Sequence, residues 1–376
     1  MTDFPGLTDI HCHPAMNSFL WGRKLERHYW TGKGFDPLAS LTDFKMMREG
    51  DLRVVWSALH VPESEYFRCR LIRFVAHFFR GGRALLKKDA WECLLLQMDQ
   101  MERQVGEAED IALARSNAEL DRITAPGDKT AIVHTVEGGH SLSAGLAPDD
   151  VDTRLQRLQQ LADRGVASLT VAHLFPNDLA GHAEGIPEKD KSFPTCKLDT
   201  HVDLSLGLTE AGRAVVDRMV ELKMLPDITH CTPKARHEIY ARVNNRVPII
   251  ASHIGVQTLN PVPYNLDESD VQAIVASGGV VGVIFMPYWL ERTHPGPGLE
   301  SIWQTMKTVR DWGGGGWGHV AIGTDFDGFT DPSDDCKSLG ELPRIRVKLE
   351  AEGVTGTDLE GILGTNAREV LRKAWR

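Results

Sequence analysis

The stretch LTDIHCH, residues 7–13, is a short apolar run that closes on two histidines. Seven further runs of this kind follow along the chain, at residues 52–60, 130–137, 167–173, 225–230, 247–253, 279–285 and 319–325. All of these runs except 279–285 end on His, Glu or Asp. Short runs rich in Val, Ile and Leu that alternate with segments of helical spacing are typical of β-α units around a parallel sheet.

The segments between the runs carry helix end signals. Thr209 is placed to cap the segment TEAGRAVVDRMVELK, and Gly165 and Gly278 stand where two other helical segments end. Eight β-α repeats predict a single (β/α)8 barrel of the TIM type over residues 1–376, with inserted excursions at about 61–125 and 174–208. An open, doubly wound α/β sheet is the alternative, but it gives no reason for polar residues at nearly every strand end.

The charge and hydropathy of the chain argue against two classes of partner, nucleic acids and membranes. The formal net charge of -10 opposes nucleic-acid binding, which needs a basic surface to displace counterions from phosphates. A long uncharged stretch, residues 274–290, contains glycines and a proline, which favours a buried strand over a membrane span. We therefore expect a small-molecule substrate as the partner, and the sequence leaves a homo-oligomer open.

The cysteines and the N-terminus indicate the compartment. No C-x-x-C pair occurs, so the cysteines define neither a disulfide framework nor a zinc knuckle. The first nine residues lack a basic segment followed by an apolar one, so we expect no cleaved secretory signal. These features favour a reducing, cytoplasmic location. The six cysteines are Cys12, Cys69, Cys93, Cys196, Cys231 and Cys336.

One segment departs from the acidic balance of the chain. Residues 66–88, YFRCRLIRFVAHFFRGGRALLKK, carry seven Arg and Lys residues and no acid. We interpret this segment as a solvated helix whose apolar face packs on the core. An interfacial helix, a basic lid over the site and an oligomer contact are the alternatives.

The polar residues that end the runs are expected to share one site, because the C-terminal ends of parallel strands meet at one face of a barrel. His11 and His13 point to the same side of their strand by period-2 alternation. A single histidine at a strand end is more often structural than a ligand, but here such residues recur at the same position of separate repeats. The later runs contribute Glu137, His173, His230, His253 and Asp325.

This set matches the ligand chemistry of zinc, which takes imidazole nitrogen and carboxylate oxygen. Six ligands are too many for one tetrahedral ion and suit two zinc ions per chain, with Glu137 as a bridging carboxylate and a shared water or hydroxide between the ions. Asp325 is expected to accept the proton of that water and pass it to the leaving group. The predicted metal ligands are His11, His13, Glu137, His230, His253 and Asp325.

The neighbouring polar residues have simpler interpretations. We interpret the remaining histidines as structural, including His60, although His60 also ends a run. Gly138 and Gly139 follow Glu137 directly, as expected where the backbone approaches a metal or a ligand closely.

Together these residues resemble the membrane dipeptidase (renal dipeptidase) family of metallopeptidases, within the amidohydrolase superfamily. The resemblance runs from Asp9 to about Leu371. It implies a (β/α)8 barrel with two zinc ions that hydrolyses the amide bond of dipeptides and related N-acyl amino acids. It also implies the six ligands above, Asp325 as the acid/base, and His173 as a catalytic group that hydrogen-bonds the tetrahedral intermediate. The motifs are DIHCHP, VEGGHSL, SLTVAH, GLTEAGRAVVDRMVELKMLPDITHCT, PIIASH, GTDFDG and ILGTNAREVL.

Two positions depart from the family pattern. The family typically opens with His-x-Asp, whereas this chain has His11-Cys12-His13, so the metal pair loses one negative charge and is expected to be more electrophilic. The family also binds the substrate carboxylate with an arginine in a context like H-P-R-N-L, where this chain has VPYNL. Tyr264 is thus the expected substrate-binding residue beside His173. It offers one hydrogen bond and no charge, so we expect free-carboxylate dipeptides to be poor substrates unless Arg292 or another basic side chain binds the substrate carboxylate.

The sequence therefore predicts a dinuclear zinc hydrolase that cleaves an amide bond of the dipeptide or N-acyl amino acid type. The first alternative keeps the barrel and the metals but acts on a non-peptide amide, ester or lactone that lacks a free carboxylate. Tyr264 and the His-x-His opening favour this alternative. The second alternative is a non-catalytic metal-binding barrel, whose sign would be a missing ligand, and none of the six is missing.

Overall fold

The computed structural model describes residues 6–29, 39–184, 200–291, 298–328 and 332–376 of the chain. Each of the eight predicted runs contains or overlaps one strand, and β3 is an additional strand within the first excursion. The predicted α/β class is therefore confirmed. The strands are β1 (Leu7–Cys12), β2 (Leu52–His60), β3 (Ile111–Ala114), β4 (Thr130–Glu137), β5 (Ser168–Thr170), β6 (Leu225–Asp227), β7 (Ala251–Ile254), β8 (Val281–Val283) and β9 (Val320–Ile322).

Helices fill the segments between the strands, as the sequence predicts. The α-helices of the described residues are Pro14–Trp21, Phe44–Glu49, Arg70–Ala76, Arg80–Leu85, Ala90–Glu107, Asn117–Thr124, His140–Ser143, Val151–Asp163, Glu210–Leu222, Pro233–Val243, Glu268–Ser277, Pro287–Leu290, Gly298–Trp312, Pro343–Ala351, Gly356–Glu360 and Asn366–Ala374. Two 3-10 helices, Ser64–Arg68 and Leu339–Glu341, and a π-helix, Gly361–Thr365, complete them. None of these helices combines the length and the apolar character that a membrane span requires.

Two of the end signals in the sequence act as helix caps. The side chain of Thr209 accepts a hydrogen bond from the backbone N–H of Gly212 and so begins the helix Glu210–Leu222. Gly278 adopts a left-handed φ of 75° at the end of the helix Glu268–Ser277. The predicted boundaries are confirmed at both positions.

All strand pairs are parallel, and they fall into two sheets. The first has the order β1-β2-β4-β5-β6, with β3 also paired to β4, and the second has the order β7-β8-β9. Single parallel bridges join the sheets at both edges: Asp227 pairs with Ile250, and Cys12 pairs with Phe326. The strands thus follow one another around a parallel sheet, and a closed eight-stranded barrel stays a prediction.

The strands are buried along almost their whole length. Every residue of β4 is buried, and in β2 only Arg53 is partly exposed. Strands that are buried on both faces read as near-continuous apolar runs, which is why they were recognisable in the sequence. The polar residues at the strand ends therefore lie at the C-terminal edge of the sheet, where the functional site is found.

The basic segment of residues 66–88 differs from its interpretation as one helix packed on the core. It forms two short helices, Arg70–Ala76 and Arg80–Leu85, and several of its large apolar side chains face solvent: Phe74 is 62% exposed and Phe78 is 65% exposed. The two glycines of the second helix are buried and make close contacts instead. A Cβ atom added at Gly81 would lie 2.2 Å from the backbone oxygen of Phe19.

The cysteines only partly match the expectation of unpaired thiols. Cys69 is disulfide-bonded, so the expectation is not met there. Cys196, Arg292 and residues 185–199 of the second excursion lie outside the described residues. The free and buried cysteines of the described residues are Cys12, Cys93, Cys231 and Cys336.

Candidate metal centre

The predicted ligands at the ends of β1 and β9 meet beside the last residue of β4, Glu137. The Nε2 atoms of His11 and His13 are 3.2 Å apart, and His13 Nε2 is 3.1 Å from Asp325 Oδ1. His11 Nε2 lies 3.5 Å from Glu137 Oε1, and His13 Nε2 lies 3.4 Å from Glu137 Oε2. The ligand atoms of His11, His13 and Asp325 are all within 4.8 Å of one another, a spacing that suits one shared cation.

The other two predicted ligands approach the same carboxylate. The Nε2 atoms of His230, which follows β6, and His253, in β7, are 3.1 Å apart. Each of them is 3.2 Å from Glu137 Oε1. The structure therefore brings all six predicted ligands together, buried, with Glu137 at their centre.

Ser252 determines which ring nitrogens of two histidines can bind a cation. Ser252 Oγ lies 3.0 Å from His11 Nδ1 and 2.9 Å from His253 Nδ1, and it donates its proton to Asp227 Oδ2 at 2.5 Å. Because the hydroxyl proton goes to Asp227, both rings donate Nδ1–H to Ser252, and in the neutral form of each ring the Nε2 atom carries a lone pair. These lone pairs face the carboxylate of Glu137 without a proton between them. Such a set of converging acceptors fits a metal cation.

Two buried carboxylates hold the strand ends in place. Asp227 accepts hydrogen bonds from the hydroxyls of Thr170 and Ser252 and thereby joins β5 to β7. Asp9 accepts from the backbone N–H of His11 at 3.1 Å and from the hydroxyl of Thr324 at 2.6 Å, and thereby joins β1 to the end of β9. Burial raises the pKa of Asp9 to about 6, against the lowering effect of these hydrogen bonds. Hydrogen bonds between buried polar side chains thus hold the strand ends that carry the predicted ligands.

The charge states around Glu137 suit metal binding. Burial would raise the pKa of Glu137, but the neighbouring His173 and His11 outweigh it and hold that pKa well below its ordinary value. The pKa of Asp325 is also lowered, because His253 and His13 outweigh its burial. Burial lowers the pKa of His230 to about 4. The carboxylates are therefore anionic and this imidazole is neutral, as metal ligands must be.

Backbone strain concentrates at the same place. Asp325 has a φ of 60° and His230 a φ of 67°, a region that residues other than glycine rarely adopt and that costs on the order of 1–3 kcal/mol each. Gly138, with a φ of 92°, follows Glu137, and a Cβ added there would lie 2.5 Å from the ring of His140. The glycine is thus required by contact with a protein side chain, whereas the sequence suggested an approach to a metal or a ligand.

A further cluster, which the sequence analysis did not identify, adjoins Glu137. His60 pairs with Glu137 across β2 and β4, and its Nδ1 donates to the Glu137 backbone oxygen at 3.2 Å. Glu63 accepts a hydrogen bond of 2.6 Å from His173 Nδ1. The other ring nitrogen of His173, Nε2, is 3.7 Å from Glu137 Oε2. His60 ends a run, as the predicted ligands do, whereas Glu63 carries no comparable signal in the sequence.

The environment of His173 favours its charged form. Burial lowers the pKa of this imidazole, but Glu63 and Glu137 outweigh burial and raise the pKa to about 9. The structure places His173 at the rim of the ligand cluster with one nitrogen facing it. A contact with a reaction intermediate stays a prediction.

The sequence model of the membrane dipeptidase family, peptidase family M19, matches residues 9–375. This chain belongs to the membrane dipeptidase family. The matched residues include Glu137 and the five predicted ligands around it, as well as Glu63 and His173.

Two curated relatives are similar to parts of this membrane dipeptidase family member. A protein of Klebsiella pneumoniae, described as an uncharacterised protein in the pqqA 5′ region, is 33% identical over 177 residues, 46% of this chain and 64% of that protein. A protein of Schizosaccharomyces pombe described as an uncharacterised dipeptidase is 26% identical over 255 residues, 65% of this chain and 53% of that protein. The chain thus spans between half and two thirds of the length of these relatives.

A solved structure resembles the whole chain of this family member. It is a metallopeptidase from Rhodobacter sphaeroides liganded with a phosphinate mimic of the dipeptide L-Ala-D-Ala, and it has a TM-score of 0.76 at 20% identity. The similarity covers 99% of this chain and 100% of that chain. At this level of identity the likeness shows the fold alone.

Tyr264, at the position where the resemblance led us to expect an arginine, is completely buried. Its hydroxyl donates to the backbone oxygen of His253 at 2.5 Å, and its ring stacks on Trp289 with the ring centres 4.1 Å apart. The ring also lies 5.1 Å from that of His230. Tyr264 therefore supports the ligand loops of this family member, and its contact with a substrate stays a prediction.

Proposed function

We propose that this chain is a metal-dependent hydrolase that cleaves an amide bond of the dipeptide or N-acyl amino acid type at a centre of two zinc ions. One observation carries the proposal: five buried imidazole and carboxylate side chains from four other strand ends converge on Glu137. His11, His13 and Asp325 would hold one ion, His230 and His253 would hold the other, and Glu137 would be shared. Six ligands of these types exceed the need of one tetrahedral zinc and suit two.

When bound, the ions would polarise the scissile carbonyl and lower the pKa of a water molecule. The residues around them would move the protons. The Asp325 side chain is 13% exposed, against 3% for Glu137, so Asp325 is the carboxylate that can accept a proton from an attacking water and pass it to the leaving amine. His173, whose Nε2 faces the centre, would donate a hydrogen bond to the carbonyl oxygen as negative charge develops there.

The fold proposed with this function is a single closed (β/α)8 barrel over residues 1–376. Support comes from the two junctions between the sheets. Ile228 N–H donates to the Ile250 oxygen at 2.9 Å, and His13 N–H donates to the Phe326 oxygen at 2.9 Å. Because these hydrogen bonds link the outer strands of the two sheets, a ring of eight strands accounts for the ligands' common face.

Metal analysis of the purified chain, together with a substrate screen, tests the proposal. We expect about two zinc ions per chain and zinc-dependent turnover of at least one dipeptide, N-acyl amino acid or related amide. His230→Ala should lower the zinc content, whereas His77→Ala should not, because His77 is an exposed surface residue. A folded chain that turns over these substrates after complete removal of metal contradicts the proposal.

A second candidate keeps the centre but changes the substrate to a non-peptide amide, ester or lactone without a free carboxylate. The hydrogen bond from Tyr264 to the His253 backbone favours it, because this position supplies no cation for a carboxylate. The screen separates the two candidates when each dipeptide is paired with its C-terminal amide and its ester. Faster turnover of the free dipeptide supports the first candidate, and faster turnover of the neutral forms supports the second.

A further inference from the structure

Glu63 and His173 form a buried pair beside the candidate metal centre. Glu63 Oε1 and His173 Nδ1 are 2.6 Å apart, and their side chains are 5% and 10% exposed. Because an ionised carboxylate only accepts, His173 donates Nδ1–H to Glu63. This turns the opposite nitrogen, Nε2, toward Glu137, whose Oε2 is 3.7 Å away.

The hydrogen bond to Glu63, and not the ring contacts around it, determines which nitrogen of the His173 imidazole faces the metal centre. The ring of His60 lies 4.2 Å from it at an angle of 48°, and the ring of His230 lies 4.6 Å from it at an angle of 66°. These ring contacts limit where the imidazole can sit but do not distinguish its nitrogens from its carbons. The hydrogen bond to Glu63 does, because only Nδ1 can donate there.

The end of β2 fixes Glu63 in its position. His60 Nδ1 donates to the Glu137 backbone oxygen at 3.2 Å, and Gln97 Nε2 donates to the His60 backbone oxygen at 2.9 Å. Glu63 follows three residues later, directly before the 3-10 helix Ser64–Arg68. The carboxylate is thus held on a segment that is anchored to β4, the strand that ends on Glu137.

The second oxygen of Glu63 argues against a purely structural role. Oε2 is buried without a hydrogen-bond partner in the described part of the chain, and His60 Nε2 is 3.7 Å from it. Burial opposes the ionised form of Glu63, but His173 outweighs burial and lowers the pKa of this carboxyl. The unpartnered oxygen is still a local cost of burial, and such costs are typical of functional sites, where activity and stability oppose each other.

We propose that Glu63 is a positioning residue for His173, which holds the imidazole so that Nε2 faces the bond to be hydrolysed. The inference deepens the proposed function and rests on it, because it gives a purpose to the orientation of His173. In the described part of the chain, the Glu63 carboxylate is hydrogen-bonded to His173 and to none of the six predicted metal ligands. It acts through the single hydrogen bond to His173.

Three variants and one control test this role. Glu63→Gln keeps the shape and one acceptor oxygen but removes the charge, whereas Glu63→Ala removes the acceptor altogether. We expect kcat to fall in the order Glu, Gln, Ala, with a loss of about 10- to 100-fold for Glu63→Ala and a nearly unchanged KM. Glu63→Asp keeps the charge on a shorter side chain and should recover part of the loss. Glu65→Gln, which changes a surface partner of Arg68, should match the wild type.

Two further measurements do not depend on turnover. In metal-free protein, the nitrogen-bound proton at His173 Nδ1 should be protected from exchange and visible by NMR in the wild type and lost in Glu63→Ala. Glu63→Gln should unfold at a lower temperature than the wild type, because the amide leaves the imidazole of His173 without its ionic partner. A merely structural carboxylate would show this lower unfolding temperature without the loss of kcat.

The outcomes separate this inference from the proposed function. If Glu63→Ala and Glu63→Gln both turn over substrate as fast as the wild type, the positioning role is wrong and the proposed function is unaffected. A rise in KM alone, or a loss of metal from Glu63→Gln, overturns it as well, because either result assigns Glu63 to substrate or metal binding. If Glu63→Ala fails to fold, the comparison of Glu63→Gln with Glu65→Gln decides. A wild type without turnover contradicts the proposed function, and the NMR and unfolding measurements then still test the pair.

Discussion

The hydroxyl oxygen of Tyr264 lies 2.5 Å from the backbone carbonyl oxygen of His253, one of the predicted metal ligands. A carbonyl only accepts, so the single hydroxyl proton of Tyr264 is committed to the backbone. The side chain is also completely buried. At the position where related dipeptidases are expected to bind the substrate carboxylate, this chain therefore has an internal support for a ligand strand.

Tyr264→Phe should lower stability but leave substrate preference unchanged. The variant leaves the His253 carbonyl without this donor, which costs about 1–3 kcal/mol. Denaturant unfolding measures the loss. Paired assays of a dipeptide and its C-terminal amide measure the preference, which should favour the amide in both proteins. A preference for the free dipeptide that disappears in Tyr264→Phe would show that the hydroxyl reaches the substrate carboxylate.

Ser252→Ala should weaken the binding of both predicted ions. One hydroxyl accepts from the Nδ1 atoms of His11 and His253, which belong to different halves of the ligand set. Loss of such a supporting hydrogen bond typically lowers metal affinity by about 10- to 100-fold. Competition with a chelator of known affinity measures the change. Ser57→Ala is the matched control, because Ser57 is also buried in a strand but its hydroxyl has no hydrogen-bond partner in the described residues.

The ligands around Glu137 could be predicted from the sequence because each of them ends or directly follows an apolar run. The end of a parallel strand has a known place in the fold, so scattered residues become neighbours. His60 carries the same signal, but its importance depends on the pairing of β2 with β4, which sets it directly beside Glu137. The order of strands in a sheet is not written in the periodicity of one run, so the interpretation of His60 as structural overlooked this contact.

Other features depend on tertiary contacts that no local pattern reveals. Glu63 lies in the short loop after β2, and its partner His173 is 110 positions away in the chain. Strand β3 is only four residues long, with two of them partly exposed, so it lacks the buried run that marks the other strands. The exposure of Phe74 and Phe78 depends on the breaking of the basic segment into two short helices. In each case the role of the residue depends on tertiary packing, which local sequence patterns do not reveal.

Asp325→Asn should leave the metal content nearly intact but reduce turnover by about 10²-fold or more. The amide retains an oxygen that can contact a cation, yet it cannot accept a proton from water. Metal analysis and kcat measured on the same preparation separate the two effects. Turnover that survives the substitution would assign the proton transfer to another group, and loss of metal would show that Asp325 acts mainly as a ligand.

Phe78→Ser should change the free energy of unfolding by less than about 0.5 kcal/mol, because the side chain is 65% exposed. If the apolar face of the basic segment packed on the core, the loss would be about 3–5 kcal/mol. Phe44→Ser is the matched control, since Phe44 is fully buried and should lose at least that much. Denaturant unfolding of the two variants beside the wild type decides between a solvated and a packed segment.

His134, within β4, should make the fold sensitive to acid. Burial lowers the pKa of this imidazole from 6.5 to about 4, and neither ring nitrogen has a hydrogen-bond partner in the described residues. Because the folded pKa lies below the unfolded value, the folded state disfavours the proton that the unfolded state takes up. The contribution of neutral His134 is therefore complete above pH 6.5 and is lost as the pH falls through 6.5 toward 4.

The variant His134→Leu removes this titration, so its advantage over the wild type should grow as the pH falls. The shift corresponds to about 3 kcal/mol between pH 7 and pH 4. Urea unfolding of metal-free protein measures the difference, because metal release then contributes to neither curve, and other buried acids act equally in both proteins. His77→Leu, at an exposed histidine, should track the wild type. Parallel pH profiles for His134→Leu and the wild type would mean that His134 is protonated inside the fold, with Glu102, 3.9 Å from its Nε2, as the counter-ion.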